Sequence, residues 1–124
     1  MRILEGIEEN FRFMVLEVSK QVSSALLVVE RPDPDRIKRI ESRDDYIDNL
    51  KSVIENACWG RIHGSRDGNK RTLDLVRAAN IININLERIA VYAVNIVSQV
   101  QYLTDPLFIR RYDYRDPFVD VERA

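Results

Sequence analysis

In the stretch 40–50, "IESRDDYIDNL", Glu41, Asp44 and Asp48 recur at steps of three and four residues. On a helix that spacing makes them neighbours, with Cβ atoms about 5–6 Å apart, which suits hard-cation or bridging-carboxylate chemistry. Asp44 also shares a stripe with Ile40 and Ile47. Burying an isolated carboxylate is costly, so it needs a partner, a metal ion or a place at the stripe's edge. A second polar set lies in "NIININLERIAVYAVNIV", residues 80–97, where Asn80, Asn83 and Glu87 form one helical stripe. Asn85, Arg88, Tyr92, Asn95 and Gln99 form another. If the chain turns back near residue 66, Asp44 comes level with Arg88 and Asp48 with Ile84, so Glu87 and Asn83 stand at the right height to meet the acids. The layer then has two readings. Arg88 pairs with Asp44 or Asp48 while the asparagines satisfy one another and backbone groups, fixing helix register and partner choice. Alternatively, Asp44, Asp48 and Glu87 ligate a divalent metal: Mg, Mn, Fe or Zn. No histidine is nearby, and the Glu-x-x-His signature of di-iron bundles is absent.

The remaining reactive residue types are isolated. His63 is the single histidine and reads as a solvated loop residue between Arg61, Ser65 and Arg66. "RIHGSRDGNKR", residues 61–71, precedes a helix start that could hold an anion, but it lacks the glycine-lysine phosphate loop and reads as a hairpin turn. Cys58 falls on an apolar stripe with no base to activate it, so it reads as packing. With no triad, cofactor fingerprint or complete metal motif, an enzyme is not expected.

The chain has 124 residues, 45% apolar and 31% charged, enough for one domain with a single core. A net charge of −1 and a pI near 5.9 offer no basic field for nucleic acid. One cysteine excludes an internal disulfide and fits a reducing compartment. The acids in "MRILEGIEENFR" do not resemble a targeting signal, and the longest apolar runs fall short of the roughly 20 residues that span a bilayer. A cytoplasmic protein without direct membrane insertion is expected.

Apolar periodicity supplies the elements that must position the acids. Residues 3–29 place Leu4, Ile7, Phe11, Met14, Val18, Val22, Ala25 and Val29 on one stripe of a first helix. Pro32 breaks it. Asp33 and Pro34 make an N-cap and first turn for a second helix, whose stripe is Ile37, Ile40, Asp44, Ile47, Ile54 and Cys58, widened by Leu50 and Val53. That helix should end near Ile62, with Gly64 as the stop. A third begins at Asp67 or Asn69 and runs to about Leu103. Its apolar residues cover two faces: Leu73, Val76, Ile82, Leu86, Ile89, Ala93, Ile96 and Val100, and then Ile81, Ile84, Val91, Val94 and Val97. A helix apolar nearly all round is expected to be buried on several sides. The fold is therefore an all-α, antiparallel, up-down-up three-helix bundle over residues 1–103. The surplus apolar surface of the third helix predicts a homodimer or docking on another bundle. Residues 104–124, with Leu107, Phe108, Ile109, Tyr112, Tyr114, Phe118 and Val119 among closely spaced charges, form a C-terminal extension that packs on the bundle, reaches a partner or leads to a further unit.

"IESRDDYIDNLKSVIENACWGRI" together with "RAANIININLERIAVYAVNI" resembles the PhoU family of helical regulators of phosphate uptake and signalling. The likeness covers about residues 3–103, one three-helix unit. Leu86, Glu87, Arg88, Ile89, Ala93, Asn95 and Ile96 match the family's third-helix phrase, and Asp44 and Asp48 its acid-x-x-x-Asp metal motif. The sequence departs from the pattern at Ala90 and Val91, where the family has glycine and aspartate, so the resemblance implies Asp44, Asp48 and Glu87 as an incomplete metal ligand set. It further implies a noncatalytic signalling adaptor in phosphate transport regulation; the polar layer read from the residues, Glu41, Asn80, Asn83, Arg88 and Asn95, is the expected partner-recognition set. The partner would be a transporter, a sensor kinase or another PhoU-like unit. The alternatives are a carboxylate-based metal-binding bundle, or the dimerisation module of a larger transport-associated protein.

Overall fold

The computed structural model describes residues 6–64 and 70–104. Three helices run up, down and up: α1 Glu8–Glu30, α2 Pro34–Gly64 and α3 Lys70–Thr104. Every pair of helices is in contact.

The chain's local chemistry accounts for the described helix ends. Gly6 adopts a positive φ of 86°, a conformation that costs glycine little, and Ile7 then enters α1 without a side-chain cap. At the other end Arg31 leaves the helix in extended backbone, as the residue before proline prefers, while its N–H still reaches the Leu27 carbonyl at 2.8 Å. Asp33 caps α2 as expected: its carboxylate accepts from the Asp35 N–H at 3.0 Å, and its carbonyl accepts from the Ile37 N–H at 3.0 Å. α2 continues two residues beyond Ile62. The expected α3 starts, Asp67 and Asn69, and the extension beyond Thr104 lie outside the described residues.

The packed seam alternates steps of three and four residues on all three helices. On α1 it runs Ile7, Phe11, Met14, Val18, Gln21, Ala25, Val28; on α2 Ile37, Ile40, Asp44, Ile47, Lys51, Ile54, Cys58; on α3 Val76, Ala79, Asn83, Leu86, Ala90, Ala93, Val97. A 3.5-residue period keeps one seam facing its neighbours along long helices, the geometry of left-handed bundles. This shifts several expected core positions. Val28 is buried where Val29 was expected, and Val53 is 48% exposed.

The largest correction falls on α3. Its buried residues are small: Val76, Ala79, Ala90, Ala93 and Val97, with the amide of Asn83. Small side chains let α3 approach both partners closely, and that approach leaves no room in the seam for bulky neighbours. Ile81, Ile82, Ile89, Val91 and Ile96, expected inside, are therefore exposed, Ile81 to 60%. Length and composition alone would let Lys70–Leu103 cross a membrane, which the sequence reading did not anticipate.

The core divides into two clusters. Ile7, Met14, Val18, Ile47, Leu50, Ile54, Cys58, Val76, Ala79 and Ala90 fill one, and Ala25, Val28, Ile37, Ile40, Ala93 and Val97 the other. Gln21, fully buried, lies between them along α1.

Candidate functional site

Gln21 anchors a polar layer between α1 and α2. Its Nε2 donates to the Ile40 carbonyl at 2.8 Å, and its Oε1 accepts from Arg43 Nη1 at 3.1 Å. The same guanidinium donates to Ser24 Oγ at 3.0 Å and lies 3.6 Å from the Glu17 carboxylate. One buried amide thus has both ends satisfied by α2, and sliding α1 by a turn would break every contact in the set. The sequence reading missed this layer. Its signal was the three-four alternation itself, which selects Gln21 where the reading chose Val22.

A second polar layer joins α2 and α3. Asn83 is fully buried, and its Nδ2 donates to the Lys51 carbonyl at 3.0 Å. The acids meet one turn further on: the Asp48 and Asp44 carboxylates lie close enough to Glu87 for their charges to act on it. The two acidic sides therefore do face each other, but in a slightly different register. Folding about residue 66 would have set Lys51 level with Ile81, and Asp48 with Ile84; the longer α2 moves both pairings along α3.

Burial first, and then the Asp48 and Asp44 carboxylates, raise the pKa of Glu87, while the Lys51 ammonium pulls it back down. Burial likewise raises Asp44, assisted by Asp45 and Asp48. A raised carboxylate pKa means that the folded state holds its proton more tightly than the unfolded chain. These acids thus favour folding most when protonated, and that contribution fades as pH rises through their folded pKa values, above the ordinary 4.5 of Glu87 and 3.8 of Asp44. Glu87→Gln should accordingly match the parent in melting temperature near about pH 4 and exceed it near about pH 7, by a margin kept small by solvent screening. A variant less stable than the parent at neutral pH would mean that the Lys51 attraction dominates.

Other expected partners are elsewhere. Arg88 points outward, exposed, and forms no ion pair with Asp44 or Asp48 among the described residues. It is one residue past Glu87, which turns it about 100° away from α2. Lys51, unforeseen, is the cation at this layer and also lies 3.6 Å from Glu55. Glu41, Asn85 and Asn95 are exposed. The asparagines do not satisfy one another: among the described residues Asn80 Oδ1 and Asn83 Oδ1 are buried without a hydrogen-bond partner, an arrangement that costs about 1–3 kcal/mol per group. His63 is on the last turn of α2 rather than in a loop, with its ring stacked on Trp59 at 5.1 Å. Cys58 is buried, and burial with the nearby Glu55 charge raises its pKa, which disfavours a thiolate.

The other notable surface is the groove between α1 and α3. Phe11, Val22 and Leu26 line it from α1, and Leu75, Ile82, Ile89, Tyr92 and Ile96 from α3; Leu26 and Tyr92 are each 62% exposed. Two apolar hollows lie along it. One, of about 210 Å³, is lined by Val22, Ala25, Leu26, Ile89, Tyr92, Ala93 and Ile96. The other, of about 250 Å³, is lined by Phe11, Leu75, Ala78, Ala79 and Ile82, with Glu8 and Arg12 at its rim.

The sequence model of the PhoU domain matches residues 11–100, which includes both polar layers and nearly all of this groove. The chain belongs to the PhoU family. No curated protein and no solved structure matches it. PhoU proteins are regulatory and noncatalytic, are typically soluble, and work through protein interactions in phosphate regulation. The family's acidic motif raises the question of a metal. In this PhoU chain Lys51 brings a positive charge beside Glu87, and Val91 supplies no oxygen. Among the described residues no group of three or more His, Cys, Asp or Glu side chains is arranged to hold a metal ion.

Proposed function

We propose that this chain is a noncatalytic adaptor in the regulation of phosphate transport, acting in the cytoplasm by offering the α1/α3 groove to a protein partner. The observation that carries the reading is the row of large apolar side chains left uncovered along that groove. Monomeric soluble proteins rarely leave large apolar patches exposed without a binding role. The polar layers set the register of the three helices, so the groove's residues are held in fixed relation on rigid elements. On this reading the partner is a phosphate transporter's cytoplasmic side, a sensor kinase or another PhoU-like unit, including a second copy in a homodimer.

Capture from the native cell, with and without phosphate starvation, tests the reading. The parent chain should retain a transporter subunit, a sensor kinase or a PhoU-like protein, and Leu26→Asp with Tyr92→Asp should lose it. Deletion should alter phosphate uptake. Capture indifferent to the two substitutions would overturn the groove as the contact, and uptake unchanged by deletion would overturn the phosphate role.

A further inference from the structure

We propose that residues 105–124 of this same chain occupy the α1/α3 groove when no partner is bound, so that the C-terminal segment acts as an internal competitor for the docking surface.

The hollows point to side chains as their occupants. At about 210 and 250 Å³, each is smaller than the roughly 300–1,000 Å³ typical of small-molecule sites. Both are walled by aliphatic and aromatic groups, with charge only at the Glu8 and Arg12 rim. An apolar peptide segment matches that chemistry.

The segment's position and length match as well. α3 delivers the chain at Thr104, eight residues beyond Ile96 on the groove wall, or about 12 Å along the helix. About four residues of extended chain cover that distance at roughly 3.3 Å each, so a chain doubling back after Thr104 brings Phe108 and Ile109 level with the first hollow. Pro106 has no N–H with which to continue a helical ladder, which favours the reversal. Beyond it lie Tyr112, Tyr114 and Phe118. From Ile96 to Leu75 the groove is about 32 Å long, well within reach of the segment, whose full extension is about 66 Å.

Tethering decides between this occupant and a second copy. A segment joined to the groove by a few residues is present at an effective concentration of order millimolar. A second copy in a micromolar solution must bind about a thousandfold more tightly to displace it. A physiological partner faces the same competition, so affinity for the partner would be set partly by how readily the segment leaves. This regulatory consequence rests on the groove being the partner surface; the occupancy itself does not.

Two measurements on the full chain test the occupancy. Leu26→Cys combined with Phe108→Cys, oxidised at low micromolar concentration, should yield a disulfide within one chain; native Cys58 is fully buried and stays out of the reaction. A product found only between chains would assign the groove to a second copy, and no product would leave it without this occupant; either overturns the proposal. Separately, Leu107→Asp, Phe108→Asp and Ile109→Asp together should raise binding of an apolar fluorescent dye several-fold while helical circular dichroism is unchanged. Equal dye binding would overturn the proposal too. An intrachain disulfide alongside failed partner capture would sink only the proposed function.

Discussion

Replacing Ile54 with alanine is expected to lower the stability of the bundle by about 2–5 kcal/mol, because a fully buried β-branched side chain would be lost from a packed layer. Ile54 lies in the larger apolar cluster with Met14, Ile47, Cys58 and Val76. The neighbours belong to three different helices, so they cannot all move inward without breaking the seam. The measurement is urea unfolding, read as a lower midpoint at unchanged slope. Val53→Ala supplies the contrast. That valine is the adjacent residue with nearly the same chemistry, but it is 48% exposed and should change stability by no more than about 0.5 kcal/mol. Equal losses at the two sites would mean that Val53 is covered in solution, as it would be if a partner packed on that side of α2.

Tyr92→Ala is expected to weaken association with a groove partner by at least about 2 kcal/mol, roughly thirtyfold, the scale at which aromatic anchors act in protein interfaces. Tyr92 is 62% exposed, so truncation removes little from the fold, and the unfolding midpoint should barely move. It forms a wall of the hollow shared with Leu26, Ile89 and Ile96, where its ring offers a large apolar area and its hydroxyl can remain in water. Titration of the captured partner against parent and variant gives the ratio directly. Unchanged affinity would place the contact on another face.

The helices and their order were legible because each apolar stripe recurs at helical steps and the breaks are chemically explicit, as at Pro32, Asp33 and Pro34. The meeting of Glu87 with the acids of α2 was also legible, since antiparallel helices joined by a short connection determine relative height to within a turn. Rotation about the α3 axis was harder to read. In a helix where isoleucine and valine occur on nearly every side, hydrophobicity does not select the packed face. The selection comes from side-chain size: alanines at 79, 90 and 93 permit close approach, and apolar scoring ranks them below the isoleucines that end up outside. Gln21 escaped notice for a related reason. A neutral amide looks like surface until its partners, a carbonyl and an arginine on the next helix, are known.

The division of the apolar interior has a consequence for how the molecule loosens. The smaller cluster, Ala25, Val28, Ile37, Ile40, Ala93 and Val97, lies at the end where α1 gives way to α2 and where α3 runs out at Thr104. With less buried there, breathing motions should begin at that end and be arrested at the Gln21 layer before they reach the larger cluster. The region that opens most readily is thus the one where α3 ends at Thr104, and a local loosening there leaves the rest of the bundle intact.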